Sequence, residues 1–193
     1  MIIDDTPEIQ NIISESNFYN FGIELIGTAV DGRYPEIKLS IDDRNVWTGA
    51  VVNSIFLKFD SIVINNPEVC IEIDYFSKLD NDTVVDENGI IVANQSVKIN
   101  ELNINNLLIS GEHLPLHSIT NYRLTEAQTN AYNSNGFPWK DVKTNTLWNN
   151  GTWKIKLHKP ITASLIKQKG INRQVFELSH ADILNKLQNY FKE

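Results

Sequence analysis

Apolar residues recur at every second position along much of the chain between residues 18 and 109. Ile37, Leu39 and Ile41 alternate with charged and polar residues, and residues 69–75 show the same alternation. Successive side chains of a β-strand point to opposite faces of its sheet, so this pattern predicts strands with one apolar face. Such a face needs a second layer of structure to cover it. The alternation therefore favours two packed sheets over a helical fold.

The spacing of the strands predicts the fold class. Seven apolar runs follow one another at short intervals with turn residues between them: FGIELIGTAV, EIKLSI, NVWTGAVV, SIFLKFDSIVI, EVCIEIDYF, GIIVA and SVKINELNIN. Short strands in such regular succession are typical of an antiparallel β-sandwich of jelly-roll type. The apolar phase slips at Glu101, which predicts a β-bulge in the last run. We expect an all-β domain over residues 18–110, preceded by an N-terminal arm at residues 1–17.

Residues 111–193 are predicted to form an extension of a different character. Its first part has no sustained period and is rich in Asn, Thr and Pro, with one short helix near residues 124–132. The Asn150-Gly151 pair then predicts a β-hairpin with a two-residue turn, which would place Trp148 opposite Trp153. A terminal α-helix is expected from Ser179 onward, with an apolar stripe formed by Ile183, Leu184, Leu187 and Phe191.

Charge is distributed unevenly along the chain. Residues 1–142 contain 21 acidic and 8 basic side chains, a net charge of −13, whereas residues 143–193 contain 3 and 9, a net charge of +6. The basic part can neutralise the acidic part of its own fold, or it can contact the acidic surface of a neighbouring copy. Nucleic acid is an unfavourable partner, because the acidic residues repel phosphate at distances comparable to the Debye length. The hypothesis of an oligomer or larger assembly follows from this asymmetry.

Several classes of protein are disfavoured by what the sequence lacks. A single cysteine, Cys70, excludes an internal disulfide. The acidic start MIIDDTPEIQ has no resemblance to a secretory signal, and no apolar run approaches the roughly 20 residues that span a bilayer. We therefore expect synthesis in the cytoplasm, no signal peptide and no membrane insertion.

Catalytic motifs are also missing from the sequence. There is no nucleophile elbow, no glycine-rich phosphate loop and no cysteine cluster. His113 and His117 have Pro115 between them, which disfavours a helix, and in an extended chain they lie about 13 Å apart, too far to share one zinc ion. Carboxylate pairs for glycoside hydrolysis assemble in space rather than in sequence, so a glycoside hydrolase stays open as a distant alternative. A protein that is not an enzyme is the better hypothesis.

The loop SKLDNDTVVDENGIIVANQS, residues 77–96, is the strongest candidate for a metal site. It is acidic, and Asp82, Asp86 and Asn88 lie close together between two strands. The spacing of an EF-hand is absent, but calcium accepts hard oxygen ligands in flexible geometry. The alternative interpretation is a solvated turn that binds nothing.

A resemblance to a known family adds to this reading. The segment GIELIGTAVDGRYPEIKLSIDDRNVW, followed by Asn81-Asp82, by Asp86-Glu87-Asn88 and by VKINELNINN, resembles the calcium-dependent xylan-binding carbohydrate modules over roughly residues 20–106. The resemblance implies a β-sandwich, a calcium ion on Asp82 and Asp86, and sugar hydroxyls that complete its coordination shell. Asn88 is a third candidate metal ligand.

Three further residues are predicted to contact a carbohydrate. Asp80 and Glu87 lie in the same acidic loop, and Trp139 lies in the loop sequence NGFPWKD, where a flat ring can stack on a sugar. For Trp139 the alternative is a loop anchor that packs against the sandwich.

Together these features predict a non-catalytic glycan-binding or adhesion component of a phage particle. The high content of Asn and Ile, each roughly one residue in eight, is typical of an AT-rich genome and suggests a bacterial or phage source. The phage hypothesis rests on this composition together with the expected cytoplasmic synthesis, the missing catalytic motifs and an extension suited to docking. Partners would then be other virion proteins, copies of the chain itself and a polysaccharide. The alternative is a purely architectural virion protein, such as a capsid decoration, neck or tail component, without sugar binding.

Overall fold

A computed structural model describes residues 17–88, 90–159 and 161. The described part of the chain contains twelve β-strands, two α-helices and one 3₁₀ turn. They are β1 (Phe18–Thr28), β2 (Glu36–Ile41), β3 (Arg44–Ala50), β4 (Ser54–Val63), β5 (Glu68–Tyr75), the 3₁₀ turn (Asp80–Asp82), β6 (Thr83–Val85), β7 (Ile91–Asn94), β8 (Ser96–Ile104), β9 (Leu107–Ser110), α1 (Leu114–His117), β10 (Ser118–Tyr122), α2 (Glu126–Ser134), β11 (Thr146–Leu147) and β12 (Gly151–His158). The terminal helix predicted from Ser179 and all but the last residue of the predicted N-terminal arm lie outside the described residues.

Two five-stranded antiparallel sheets form the body of the fold. The first sheet has the order β11-β8-β1-β4, with β9 also paired to β8, and the second has the order β10-β12-β5-β2-β3. Strands β6 and β7 pair only with each other in a separate two-stranded ribbon. The predicted all-β antiparallel sandwich is confirmed.

The core lies between the inner faces of the two sheets. Along β5 buried and half-buried residues alternate one by one, as the period of two in the sequence predicts. The largest fully buried side chains come from both sheets and include Trp153, Tyr19, Tyr75, Phe21, Leu25, Ile37, Leu39 and Ile99. Each apolar side chain of this kind contributes about 1.5–3 kcal/mol by leaving water. Within the described residues, no helix has the length and apolar character needed to cross a membrane.

The bulge predicted near Glu101 is present. On β1 and β8, Glu24 pairs with Glu101 and the next residue, Leu25, pairs with Ile99, so Asn100 is the extra residue. The side-chain amide of Asn100 donates to a carboxylate oxygen of Glu24 at 2.6 Å. The bulge shifts the buried phase of β8 by one residue, which keeps both halves of the strand facing the core.

The sandwich extends past residue 110, where the sequence had placed its boundary. β12 lies inside the second sheet, between β10 and β5, and β11 pairs with β8 in the first sheet. Residues up to 158 are therefore part of the same two sheets rather than of a separate irregular extension. The alternating residues Trp153, Ile155 and Leu157 supply the apolar face that the second sheet needs, and all three are fully buried.

The hairpin predicted at Asn150-Gly151 is wrong. The two flanking strands, β11 and β12, belong to different sheets, so the chain crosses between the sheets at residues 148–150. Trp153 is fully buried, whereas Trp148 is 47% exposed, so the two rings do not form the predicted cross-strand pair. The indole nitrogen of Trp153 donates to the carbonyl of Thr144 at 3.1 Å.

Glycine is needed at position 151 because a side chain would not fit there, and not because the chain forms a tight turn. It is the first residue of β12, opposite Tyr122 of β10, and a Cβ atom there would lie 2.5 Å from the carbonyl oxygen of Asn121 and 2.8 Å from the Cα of Tyr122. Both neighbours are backbone atoms of a paired strand, which have little room to move. The close approach of β10 and β12 therefore depends on the absence of a side chain at this position.

We expect Gly151→Ala to lower the free energy of unfolding by about 1–3 kcal/mol, the range for forcing an extra group into a packed region. Gly49→Ala is the control, because its Cβ would meet the ring of Trp47 on the edge strand β3 instead of backbone. Denaturant unfolding of both variants measures the difference. Equal stability of Gly151→Ala and the wild type would contradict the close approach of β10 and β12.

Candidate functional site

A cleft of about 700 Å³ lies at one end of the sandwich. Four segments line it: residues 78–80 after β5, the β6–β7 ribbon, the stretch from Arg123 through helix α2, and residues 148–150. The lining contains two aromatic residues, Trp148 and Tyr132, two apolar residues, Leu79 and Ile91, and several side-chain amides and hydroxyls. Concave sites of this size that combine aromatic surface with a few polar groups are the usual form of small-ligand sites.

Helix α2 is the short helix that the sequence predicted near residues 124–132. Its cap is reciprocal: the Thr125 hydroxyl accepts from the backbone N–H of Gln128 at 3.3 Å, and the Gln128 side-chain oxygen accepts from the backbone N–H of Thr125 at 3.0 Å. The helix buries none of its residues in the core. Its contribution is to the cleft, which is lined by Gln128 and Tyr132.

Residues 148–150 are held in place by asparagine side chains. Asn150 brackets the backbone of Lys78: its side-chain oxygen accepts from the Lys78 N–H, and its amide donates to the Lys78 carbonyl, both at 2.9 Å. The amide of Asn149 donates to the hydroxyl of Tyr132 at 2.7 Å. The carbonyl of Asn150 also accepts from the backbone N–H of Arg123 at 2.8 Å. These bonds fix the backbone next to Trp148, whose side chain is nearly half exposed in the cleft lining.

Lys78 joins two walls of the cleft through its side chain as well. Its ammonium group donates to the side-chain oxygen of Asn94, to the carbonyl of Gln95 at 3.3 Å and to the carbonyl of Trp148. Burial lowers the pKa of Lys78 to about 8, and the negative charge of Asp82 opposes that shift. An amine that titrates close to neutral pH is therefore part of the site.

A buried polar network lies beneath the cleft. Asp82 is almost fully buried, forms an ion pair with Arg33 and accepts from the backbone N–H of Leu79 at 2.7 Å. Gln95 is fully buried; its side chain accepts from the Tyr75 hydroxyl and donates to the carbonyl of Arg33, both at 2.7 Å. Burial and the charge of Asp82 raise the pKa of the Tyr75 hydroxyl. The network attaches the 3₁₀ turn firmly to the sandwich.

The predicted calcium ligands are not brought together. Asp82 precedes β6 and Asp86 follows it, so the three residues of β6, with a register shift between Val84 and Val85, lie between them, and their Cα atoms are at most about 13 Å apart. One calcium ion bound to both would need their oxygens within about 5 Å of each other. Asp86 instead accepts from the backbone N–H groups of Asn88 and Ile90, at 2.9 and 2.8 Å, and thereby closes the turn of the ribbon.

The residues present therefore do not fit a calcium ion held jointly by Asp82 and Asp86. The charge of Asp82 is already neutralised by Arg33, a group supplied by the chain itself. Among the described residues there is no group of three or more His, Cys, Asp or Glu side chains placed to hold a metal. A calcium ion on Asp86 and Asn88 stays a prediction.

The predicted carbohydrate residues lie in three different places. Asp80 lines the cleft, Glu87 lies exposed in the turn of the β6–β7 ribbon, and Trp139 is half-buried against the core. The indole nitrogen of Trp139 donates to Asn133 at 3.3 Å, and the ammonium of Lys140 lies 4.5 Å from its ring centre. These contacts favour the interpretation of Trp139 as a loop anchor.

Sequence reasoning missed most of the cleft. Trp148 was assigned to a structural hairpin pair, and Lys78, Tyr132 and Asn149 carried no motif. One signal was available: the buried phase of β12 begins at Gly151 and includes Trp153, whereas Trp148 is followed by two asparagines that break the apolar alternation. A tryptophan outside any apolar face is a candidate for the surface.

Comparisons with known proteins give two weak structural matches. No protein-family model matches the chain, and no curated protein matches its sequence. Among solved structures, the selenomethionine form of vCBM60, described in connection with two families of calcium-dependent carbohydrate-binding modules, matches with 11% identity and a TM-score of 0.45, over 71% of this chain and 89% of that chain. vCBM60 in complex with galactobiose matches with 13% identity and a TM-score of 0.37, over 70% and 96%.

Thermal unfolding tests whether calcium binds at Asp82. At Asp82 we expect no calcium-dependent rise in melting temperature between chelator and 1 mM calcium, because Arg33 already pairs with the carboxylate that calcium would use. A site with a Kd of about 10 µM would instead add about 2.7 kcal/mol of stability at that concentration. A rise in melting temperature that persists in Asp82→Asn and disappears in Asp86→Asn would place the calcium site in the ribbon turn, as predicted for Asp86 and Asn88. A rise that Asp82→Asn abolishes would contradict the expectation for Asp82.

Proposed function

We propose that this protein binds a neutral glycan in the cleft and does not cleave it. The observation that carries the proposal is the exposed Trp148 at a cleft whose lining also carries several side-chain amides and hydroxyls. Sugar rings present apolar C–H groups on their faces and hydroxyls around their edges. A site for them therefore needs an aromatic surface with hydrogen-bonding groups beside it.

Trp148 has the properties of a stacking platform. Tryptophan is largely buried in most proteins, and here 47% of this residue is exposed. Its backbone is fixed by the bonds at Lys78, Asn149 and Asn150, so a ligand does not have to order it on binding. Preorganisation of this kind reduces the entropy cost of association.

The polar lining offers both donors and acceptors. In the described part of the chain no protein partner is found for four neutral groups of the lining, namely the amide nitrogens of Asn94 and Gln128, the side-chain oxygen of Asn149 and the indole nitrogen of Trp148. Each sugar hydroxyl donates one hydrogen bond and accepts others, so it matches such a mixed set. A purely apolar or purely ionic ligand would leave these groups unpaired.

The charges of the cleft favour a neutral ligand over an acidic one. Both cations of the lining are committed to the protein: Lys78 to three carbonyl oxygens, and Arg123 to Asp74, the Tyr75 carbonyl and Thr152. Asp80 is exposed and carries a negative charge in the lining. A uronic acid would therefore meet repulsion and find no free cation to pair with.

Binding is favoured over hydrolysis by the number of carboxylates. Glycoside hydrolysis generally requires two carboxyl groups flanking the bond that is cleaved. Of the described residues that line the cleft, Asp80 is the one with a carboxylate. The neighbouring Asp82 is buried and paired with Arg33, so it is not free to act on a substrate.

Membership of a phage particle stays a prediction from the sequence. If it is right, glycan binding would serve adhesion to a polysaccharide, and the other virion proteins would be the partners. The architectural alternative differs in one measurable respect, since it requires a place in a particle without affinity for any glycan.

We expect Trp148→Ala to weaken glycan binding at least tenfold, a loss of about 1.4 kcal/mol of binding free energy. Trp139→Ala is the matched control: it should lower stability, because it removes a half-buried anchor, but leave affinity unchanged. Affinity electrophoresis against xylan, galactan, a glucan and polygalacturonate provides the measurement. Binding to the acidic polymer alone, or equal loss in both variants, would contradict the proposal.

A further inference from the structure

We propose that the ammonium group of Lys78 is the positioning element that holds Trp148 for the glycan, so that affinity depends on the charge of this one lysine. The inference rests on the proposed function of the cleft. It concerns a residue that acts through Trp148 and does not itself contact the sugar.

The first argument is the match between donors and acceptors. An ammonium group has three N–H donors and no acceptor. The three acceptors at Lys78 are the side-chain oxygen of Asn94 on β7, the carbonyl of Gln95 just before β8, and the carbonyl of Trp148. All three donors are therefore in use, which leaves none for a sugar hydroxyl. The Lys78 ammonium therefore connects β7, the residue before β8 and the backbone of Trp148.

The second argument is that the backbone of the same residue is held separately. Asn150 pairs with the N–H and the carbonyl of Lys78 through its side chain, independently of the ammonium group. Loss of the ammonium would leave residues 149–150 attached and would release the bond to the Trp148 carbonyl. The expected consequence is a displaced Trp148 in a folded protein.

The third argument is the response to deprotonation. A neutral amine has two N–H donors and one lone pair, so one of the three carbonyl oxygens would face a lone pair instead of a proton. Burial has already brought the pKa of Lys78 down to about 8. The three hydrogen bonds of the Lys78 side chain are therefore complete below about pH 8, and one of them is lost as the pH rises through that value.

The charged and titratable groups around Lys78 come from every adjoining element. They are Asp80 and Asp82 in the 3₁₀ turn, Arg33 between β1 and β2, Asp74 and Tyr75 on β5, Arg123 after β10 and Tyr132 on α2. The two arginines stay protonated throughout the relevant range. Asp82 favours the charged form of Lys78 but is itself paired with Arg33, which limits its effect.

The test uses the full chain and two readouts between pH 6 and pH 10. The first is the affinity for xylan, galactan and a glucan, and the second is the ¹⁹F resonance of Trp148 in fluorotryptophan-labelled protein without glycan, assigned with Trp148→Phe. We expect affinity to fall at least tenfold between pH 7 and pH 9.5, and the Trp148 resonance to shift over the same range. Lys78→Met should show the high-pH behaviour at every pH, and Lys78→Arg, which stays charged, should remove the pH dependence.

Lys143→Met is the matched control, because the ammonium of Lys143 also donates to a backbone carbonyl, that of Ser118 at 2.9 Å, but Lys143 does not line the cleft. It should change neither readout. A Trp148 resonance that is flat with pH and unchanged in Lys78→Met would overturn the inference even if glycans bind. A resonance that titrates normally in a protein that binds none of the polysaccharides would uphold the positioning role and refute the proposed function.

Discussion

The position of β12 between β5 and β10 is the constraint on which the rest of the structure depends. β12 pairs along its whole length with β5 and completes the apolar inner face of the second sheet. Its first residue, Gly151, lies so close to β10 that no side chain fits there. The chain must therefore leave the first sheet at β11, cross at residues 148–150 and enter β12 at a fixed point. Trp148 lies in this crossing and Trp153 lies in β12, so one tryptophan contributes to the cleft and the other to the core.

Polar side chains replace regular strand pairing where the chain crosses between the sheets. Asn150 forms with Lys78 the pair of bonds that a neighbouring strand would otherwise supply, and Gln95 links the sandwich to Arg33 and Tyr75. The high content of Asn thus has a structural use beyond any bias of composition. The same holds in the turns, where seven of the eight described non-glycine residues with a positive φ are Asp or Asn: Asp31, Asp42, Asp43, Asn53, Asn105, Asn106 and Asp141. These two residue types tolerate the left-handed region better than others.

Local features of this fold could be predicted from the sequence, and long-range ones could not. The period of two gave the strands, the phase slip gave the bulge at Asn100, and the cap at Thr125 lies next to the predicted helix. The hairpin failed because an Asn-Gly pair favours a local turn by only a small free energy, whereas seating β12 buries Trp153, Ile155 and Leu157. The metal prediction failed to fit at Asp82 for a related reason. Its partner Arg33 lies 49 residues earlier in the chain, and no spacing rule indicates a contact over that distance.

The two cations near Asp82, Arg33 and Lys78, bear on how ligand binding in the proposed site is regulated. Calcium in a loop makes binding depend on the concentration of a solute, because the loop is complete only when the ion is present. Here the positive charges beside Asp82 are the side chains of Arg33 and Lys78, which are always present at a fixed stoichiometry. An arginine guanidinium is not deprotonated in proteins, so the ion pair with Asp82 does not depend on a bound solute. Lys78 can lose its proton, and its ammonium group connects the sandwich to the backbone of Trp148. In the site as proposed, the charge of Lys78 makes glycan binding depend on pH.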